Sequence, residues 1–315
     1  MKTAERRVGA IVLTHLACEL VAQERDPKEL PLAVVHAQAD PRSGEEAELG
    51  NVLVAVSDSA HKFGVRVGQT VAEARSRIAG LVVRGLTDRV LRGALGRIAE
   101  IALFFGPTVA IETGDPDAPL DTVWVDLTST THLWGGEEAA LFELASRVRE
   151  LGHRVRAAIA DGPRLARAAS LFGTSPEVVV APQKGKATMR EFPLEALPIS
   201  RDRIVWLHRL GLWTVGDLSS LPPRALAGRL VDRGATVDPW RESFELAEGR
   251  DDAPLVAYEP PDAPTECIAW DEPIYTIEPL LFALRGLVSR LSARLEGRGE
   301  AAQSIELSAP YDRSI

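Results

Sequence analysis

Carboxylates near the ends of β-rich runs are the side chains of this sequence best placed to do chemistry. They are Glu19, Asp58, Glu112, Asp121 and Asp126. If several of them converged, they could hold two divalent ions about 3.5–4 Å apart, an arrangement that supports phosphoryl and nucleotidyl transfer. Glu112 alone could not hold two ions. Asp126 lies on one face of a strand and is followed by Thr128, which favours a structural role as a cap of the hairpin or of the following helix.

Other common catalytic patterns are missing from the sequence. Its 6 histidines show neither HxxxH nor HExxH spacing, which argues against a zinc site. The serines lie outside any GxSxG turn, and there is no GxxxxGKS/T loop, so neither that type of hydrolase nor ATP hydrolysis is expected. The 2 cysteines are far apart, which excludes a disulfide framework and a cysteine-based metal site.

The segment 205–221, VWLHRLGLWTVGDLSSL, has the spacing of a helix-hairpin-helix motif. Apolar residues frame a glycine turn between two short helices. In this motif, backbone N–H groups of the hairpin and of the next helix bind a DNA phosphate. The sequence therefore predicts phosphate contacts at Arg209, Gly211, Leu212 and Thr214. The alternative is an ordinary helical turn in which Thr214 is the N-cap.

The charge balance argues against a protein that holds nucleic acid mainly by its own surface. The 315-residue chain has 36 basic and 45 acidic residues, a net charge of −9 and a pI near 5.3. Because DNA affinity comes largely from neutralised phosphates, weak DNA binding is expected unless a partner supplies the grip. Arg285, Arg290, Arg294 and Arg298 follow one helix, and the acidic surroundings predict a solvated face rather than a DNA cradle.

Composition also indicates in which compartment of the cell the protein is expected. No apolar run approaches the roughly 20 residues needed to cross a bilayer, so no membrane association is expected. The start of the chain lacks a small-residue cleavage site and is predicted to be part of the fold. Sparse cysteine usage fits a reducing cytoplasm.

Hydrophobic periodicity predicts a mixed α/β (α+β) protein around a ferredoxin-like core. Strands are predicted at 8–13, 108–113, 122–128 and 154–160, and helices at 88–103, 137–151 and 163–171. A segment with strands at 30–36 and 50–56, a helix ending at Gly64 and a helix from Val71 is inserted after the first strand. Without the insertion, the order is βαββαβ.

The rest of the chain is predicted to form three further parts. Residues 174–200 hold four prolines and are predicted to be a linker, and 202–248 a small helical unit. A strand at 265–275, a helix at 277–297 and a strand at 303–311 would begin another α/β unit, which is incomplete.

Four motifs together resemble the Y-family translesion DNA polymerases. They are FGVRVGQTVAEAR (63–75), VWVDLTSTTHLWGG (123–136), LGHRVRAAIADGPRLARAAS (151–170) and LHRLGLWTVGDL (207–218). The resemblance covers residues 8–315 and is strongest to the ImuB branch of that family. It implies a hand-like fold with a palm (1–19 and 88–180), small fingers (20–87), a helix-hairpin-helix thumb (181–250) and an incomplete little finger (262–315).

Departures from the family pattern imply that the chain is not an enzyme. Active members carry metal-binding acids where this sequence has Thr14 and Leu16, and a second acidic pair where it has Glu112 and Thr113. The positions that resemble the triphosphate clamp are Asp58, His61 and Pro163. A negative Asp58 would repel phosphates. The resemblance therefore implies no catalytic residues, no bound metal and no cofactor.

The resemblance also implies an adaptor in damage-induced mutagenesis. Its expected partners are an ImuA-like, RecA-related protein, an error-prone DnaE-type polymerase and the sliding clamp, the last two mainly through segments beyond residue 315. Two rival hypotheses remain. One is a weakly active translesion polymerase that uses Glu112, and the other is a DNA-structure-binding module that acts through the thumb hairpin.

Overall fold

The fold is given by a computed structural model that describes residues 6–22, 31–37, 48–112, 119–221, 239–268, 270 and 274–308. Thr113 and parts of the two strands predicted at 265–275 and 303–311 lie outside these ranges. The strands are β1 Val8–Val12, β2 Leu32–His36, β3 Leu53–Val56, β4 Val82–Leu86, β5 Val109–Glu112, β6 Thr122–Asp126, β7 Arg156–Ala160, β8 Glu177–Val179 and β9 Val256–Ala257. The helices are α1 Leu16–Val21, α2 Asp58–Lys62, α3 Val71–Arg77, α4 Asp88–Ala102, α5 Glu137–Glu150, α6 Pro163–Phe172, α7 Gly185–Arg190, α8 Arg201–Arg209, α9 Val215–Ser219, α10 Pro239–Ala247 and α11 Ile277–Arg298.

A six-stranded sheet forms the palm, in the order β8-β7-β1-β6-β5-β9. Its four inner strands are antiparallel, and Val8 of β1 lies opposite Asp126 of β6 on one side and Ala160 of β7 on the other. This is the strand order of a ferredoxin-like sheet, so the predicted βαββαβ core is confirmed.

The two faces of the palm sheet bury different partners because side chains alternate along each strand. Ile11 and Val125 pack with the helices α4 and α5, whereas Ala10 and Trp124 face α6 and the helices that follow it. The palm therefore has α4 and α5 on one face and α6 on the other.

The inserted segment folds as a three-stranded sheet in the order β3-β2-β4, with α2 and α3 against it. We call the described residues of this segment, 31–37 and 48–87, the fingers. Thr70 begins α3 with a capping box, in which Thr70 and Glu73 each accept the other's backbone N–H. Helix α1 packs on β2 and β4 through Cys18 and so connects the fingers to the palm.

Helices α7–α10, which we call the thumb, pack on α6. The prediction that 174–200 is only a linker is wrong, because this segment contains β8, α7 and a 3-10 turn at Leu194–Ala196. Its prolines lie at element boundaries, where they interrupt no hydrogen bond of a helix or ladder. The predicted division of the chain into domains stays a prediction.

After the thumb, the chain returns to the palm as β9, which pairs with β5, and then forms α11 against α4. The predicted helix is confirmed. The two strands predicted around it are wrong over the described residues, since 264–268 and 301–308 are irregular.

The prediction of a solvated arginine face on α11 is wrong for Arg294 and Arg298, whereas Arg285 is exposed as predicted. Arg294 is only 4% exposed, and Glu100 of α4, with which it pairs at 2.8 Å, is 0% exposed. Arg294 also pairs with Glu266 at 2.7 Å. Gly297 lets the two helices touch, because a Cβ there would lie 2.1 Å from the carbonyl oxygen of Glu100. None of the described helices combines the length and apolar character needed to span a bilayer.

Candidate functional site

A cleft of about 710 Å³ lies between the palm and the fingers, beside the end of β1. Its lining is mostly apolar, from both sides: Leu13, Leu16, Val52, Val54, Val67, Leu91, Ile111 and Leu120. Among its polar lining residues are Thr14, His36, Asp88, Arg92, Glu112 and Asp121. The sheet brings Thr14 and Glu112 to one cleft because β1 and β5 flank the same strand, β6.

Glu112, at the end of β5, is paired with the guanidinium of Arg92 on α4. Both side chains are about half exposed, so water partly screens the pair. The pair matters for the chemistry of the cleft, because the guanidinium contacts the one carboxylate that the sequence analysis had retained as a metal ligand.

The other carboxylates of the cleft also have partners within the protein. Asp88 lies 3.3 Å from Nδ1 of His36. Asp121 pairs with Arg167 at 2.7 Å and accepts a hydrogen bond from the hydroxyl of Thr122 at 2.6 Å. Each acidic group that lines the cleft among the described residues is therefore matched by a donor or cation of the chain.

This donor set does not fit the pair of divalent ions that the fold family implies. Thr14 offers a hydroxyl and Leu16 is a buried apolar side chain, so neither supplies charge where metal-binding acids are expected. Across the described part of the chain, no three His, Cys, Asp or Glu side chains are grouped closely enough to hold a metal ion.

Asp126 does not line the cleft and accepts hydrogen bonds from the backbone N–H of Thr128 at 3.0 Å and from its hydroxyl at 2.5 Å. A structural role is what the sequence predicted, but Asp126 caps neither the β5–β6 hairpin nor a following helix, because these bonds close the turn directly after β6. Glu19 likewise serves structure, because its carboxylate contacts His153 at 2.8 Å and accepts the backbone N–H of Arg154 at 3.1 Å.

Of the predicted triphosphate positions, Asp58 and His61 lie on the same short helix, α2, whereas Pro163 begins α6. Asp58, at the start of α2, accepts a hydrogen bond of 2.6 Å from Arg154 of the palm, which lowers the pKa of Asp58. Its neighbour His15 has its pKa lowered, mainly by burial and also by the charge of Arg154. His61 is exposed at the end of α2, and its carbonyl accepts from Arg66.

Pro163 lies at the first turn of α6, away from the fingers positions. Its carbonyl accepts a hydrogen bond of 3.0 Å from the indole of Trp124. The N-terminus of α6 already has a carboxylate partner, because the buried Asp251 accepts the backbone N–H of Leu165 at 2.9 Å. An anion that approached this helix end would meet Asp251 first.

The thumb hairpin has the predicted helix–turn–helix form, with Gly211 at φ +82° between α8 and α9. Thr214 is the N-cap of α9, as one of the two interpretations predicted, and shares a capping box with Asp217. The backbone N–H groups of Gly211 and Leu212 bond to carbonyls of α8, and those of Trp213 and Thr214 to Asp217.

Because these backbone N–H groups already have acceptors within the hairpin, the exposed side chain of Arg209 is the group that could bind a phosphate without breaking an internal bond. Phosphate contacts at Arg209, Gly211, Leu212 and Thr214 stay a prediction.

Two residues of this region were missed by the sequence analysis. Arg92 follows Asp88 by one helical turn, a spacing that places both on one face of α4 and could have indicated a charge pair near β5. Arg201 reaches from the thumb to the fingers, where its guanidinium donates to the carbonyl of Val67. No local pattern in the sequence indicates that contact.

Comparisons with known proteins agree with the fold described above. Residues 16–171 match the family model described as the impB/mucB/samB family. The chain contains a domain of this family, the Y family. It is a homologue of Protein ImuB from two strains of Caulobacter vibrioides, 33% identical over 246 residues. These alignments cover 78% of this chain and 51% of each relative, so the chain spans about half of their length.

More distant similarities lie among polymerases. A DNA polymerase IV from Desulfatibacillum aliphaticivorans is 26% identical over 275 residues, covering 82% of this chain and 63% of the relative. The crystal structure of DinB from Sulfolobus solfataricus matches with a TM-score of 0.59 at 16% identity, covering 79% of this chain and 69% of that one. An insertion ternary complex of Dbh DNA polymerase matches with a TM-score of 0.57 at 17% identity and the same coverages. The structural matches establish a Y-family polymerase fold.

Proposed function

We propose that this chain is a non-catalytic, Y-family polymerase-like adaptor in damage-induced mutagenesis and translesion synthesis. The observation that carries the proposal is the pairing of Glu112 with Arg92 in the cleft. The similarity to Protein ImuB supports the same role.

The physical argument concerns charge in the cleft. Metal ions supply several kcal/mol of stabilisation to a nucleotidyl-transfer transition state, and each ~1.4 kcal/mol lost slows the reaction about tenfold. A divalent ion at Glu112 would have to displace Arg92 and would find Thr14 and Leu16 in place of further acids. Arg92 is a fixed monovalent cation, so it cannot bridge an attacking and a leaving oxygen.

Primer extension tests this proposal. The chain is incubated with primer–template DNA, deoxynucleotides and either Mg²⁺ or Mn²⁺, together with the variants Glu112→Ala and, as a matched surface carboxylate, Glu138→Ala. We expect no extension by any of the three proteins. Metal-dependent extension that Glu112→Ala abolishes and Glu138→Ala retains would overturn the proposal. It would support the rival, a weakly active polymerase, which the similarity to DNA polymerase IV favours.

As an adaptor, the chain would connect an ImuA-like, RecA-related protein with an error-prone DnaE-type polymerase and the sliding clamp. The acidic net charge of −9 suits recruitment through proteins rather than through DNA alone. Co-purification of this chain with each purified partner is the test. We expect the RecA-related protein to bind here, and the polymerase and clamp to require a longer chain. Failure of the RecA-related protein to bind this chain would count against the adaptor role.

A further inference from the structure

A contact between the thumb and the fingers crosses one side of the cleft. Arg201, the first residue of α8, donates a hydrogen bond of 2.7 Å from Nη1 to the carbonyl oxygen of Val67. The two residues are 134 positions apart in the chain. Val67 lies in the turn before α3 and lines the cleft together with Thr14 and Glu112.

The fingers are shaped to receive this guanidinium. Gly68 has φ +84°, and a Cβ at this position would lie 2.1 Å from Nη1 and 3.3 Å from Cζ of Arg201. A side chain at 68 would therefore occupy the place of the guanidinium. Gly68 also lines the cleft, so Arg201 lies at its edge.

The fingers are held on the palm side as well. Arg154 of the palm donates a hydrogen bond of 2.6 Å to Asp58, which precedes Val67 by nine residues. With Arg201 in place, the fingers contact the palm through one arginine and the thumb through another. No nucleic acid strand can pass between two groups that are 2.7 Å apart.

We propose that Arg201 is a latch that closes the thumb side of the cleft and that nucleic acid must displace it to enter. This inference rests on the proposed function, because a protein that acts in translesion synthesis works on primer–template DNA and is expected to bind it. One hydrogen bond from an exposed guanidinium to a carbonyl is weak in net free energy, so the latch opens reversibly. A variant in which the latch is already open should have a higher apparent affinity for DNA, because its binding-competent state is more populated.

Two variants break the latch and differ in their effect on charge. Gly68→Ala blocks the seat of the guanidinium and leaves the net charge unchanged, whereas Arg201→Ala removes the guanidinium together with one positive charge. The matched control is Arg190→Ala, which removes an exposed arginine from α7 of the same thumb. Binding to a fluorescent primer–template DNA is measured by anisotropy at fixed salt.

We expect Gly68→Ala and Arg201→Ala to bind this DNA about threefold to tenfold more tightly than the unmodified chain, the effect of one hydrogen bond. Arg190→Ala should bind no more tightly. Tighter binding by Arg201→Ala is the more telling result, because the loss of a positive charge alone weakens binding. If both latch variants bind like the unmodified chain or more weakly, the proposal is overturned.

A second measurement does not depend on DNA. Spin labels are placed at Ser76→Cys in the fingers and Lys184→Cys in the thumb, both exposed, after the exposed Cys267 is changed to Ser. We expect a narrow distance distribution that broadens with Gly68→Ala or Arg201→Ala. An unchanged distribution would overturn the latch. Broadening without DNA binding by any variant would support the latch and count against DNA binding in the proposed function.

Discussion

At the scale of single residues, partners decide what a charge does. Glu100 is a charged residue of the amphipathic helix α4, yet its side chain is fully buried. It accepts two hydrogen bonds from the guanidinium of Arg294, at 2.8 and 3.0 Å. Removing one partner of a buried ion pair is costly because the other is left without compensation, whereas replacing both by apolar groups is much less so.

We therefore expect Arg294→Ala to lower the free energy of unfolding by about 3 kcal/mol. The double variant Glu100→Leu with Arg294→Leu should lose clearly less. Urea denaturation followed by circular dichroism measures both. Arg285→Ala, an exposed arginine of the same helix, is the control and should stay within about 0.5 kcal/mol. An equal loss in the single and double variants would contradict the buried-pair explanation.

His15 gives a pH dependence whose sign can be worked out. Its folded-state pKa lies below the ordinary value of 6.5, mainly through burial and secondly through Arg154. The unfolded chain therefore binds this proton more readily, and stability falls as the pH drops below about 6.5. Asp58, whose pKa Arg154 also lowers, acts in the same direction at lower pH. Glu19 and His153 lie next to this group, because Glu19 contacts His153 and accepts the backbone N–H of Arg154.

We expect His15→Gln to make the loss of stability between about pH 7 and pH 5 shallower than in the unmodified chain. Denaturation midpoints across this range are the measurement. The exposed His132→Gln is the control and should leave the slope unchanged. A slope that does not differ between the two variants would show that His15 does not titrate with folding.

Residue identities alone could not reveal these roles. The sequence analysis recognised Glu112 as the one acid left at the family's metal-binding positions, but its partner Arg92 comes from another element. The arginines of α11 were misjudged for the same reason. Their acidic surroundings are visible in the sequence, but the burial of Glu100 against them depends on which helices meet.

At the scale of elements, local signals predicted most helices and strands. Alternation identified β1, β5 and β6, and the helical spacing of apolar residues identified α4 and α5. The short strand β4 was missed because a glycine and an arginine interrupt its apolar run, and α7 because prolines flank it. These two elements depend on their neighbours, since β4 pairs with β2 and α7 packs on α6.

Helix α6 depends on a cap from a distant segment. Asp251, 86 residues further along the chain, accepts the backbone N–H of Leu165. We expect Asp251→Ala to lower the free energy of unfolding by about 1–2 kcal/mol, because a buried donor of the first turn loses its acceptor. Thermal denaturation measures the effect. The neighbouring exposed Asp252→Ala is the matched control, and an equal loss there would contradict the capping role.

At the scale of the whole molecule, the fold was predictable from motif order together with the βαββαβ pattern. The placement of α11 against the palm was not, because it depends on ion pairs between segments far apart in sequence. The proposed DNA binding also belongs to the whole molecule. On an acidic protein it would depend on the sum of small contributions from more than one part of the surface.

For the hairpin, we expect Arg209→Ala to weaken primer–template binding a few-fold and to reduce the salt slope by about one. Gly211→Val should also weaken binding, because φ +82° strains a β-branched residue. Salt titrations by anisotropy measure both. Arg241→Ala, on the exposed side of α10, is the control. Binding that survives both hairpin variants would exclude the hairpin as the contact.

The outermost strands of the palm have a mechanical consequence. The chain leaves the sheet for the thumb after β8, at one edge, and returns as β9, at the opposite edge. The thumb is thus attached at both edges of the sheet. We expect a displacement that frees the fingers to involve both attachments, because neither end of the thumb is a free chain end.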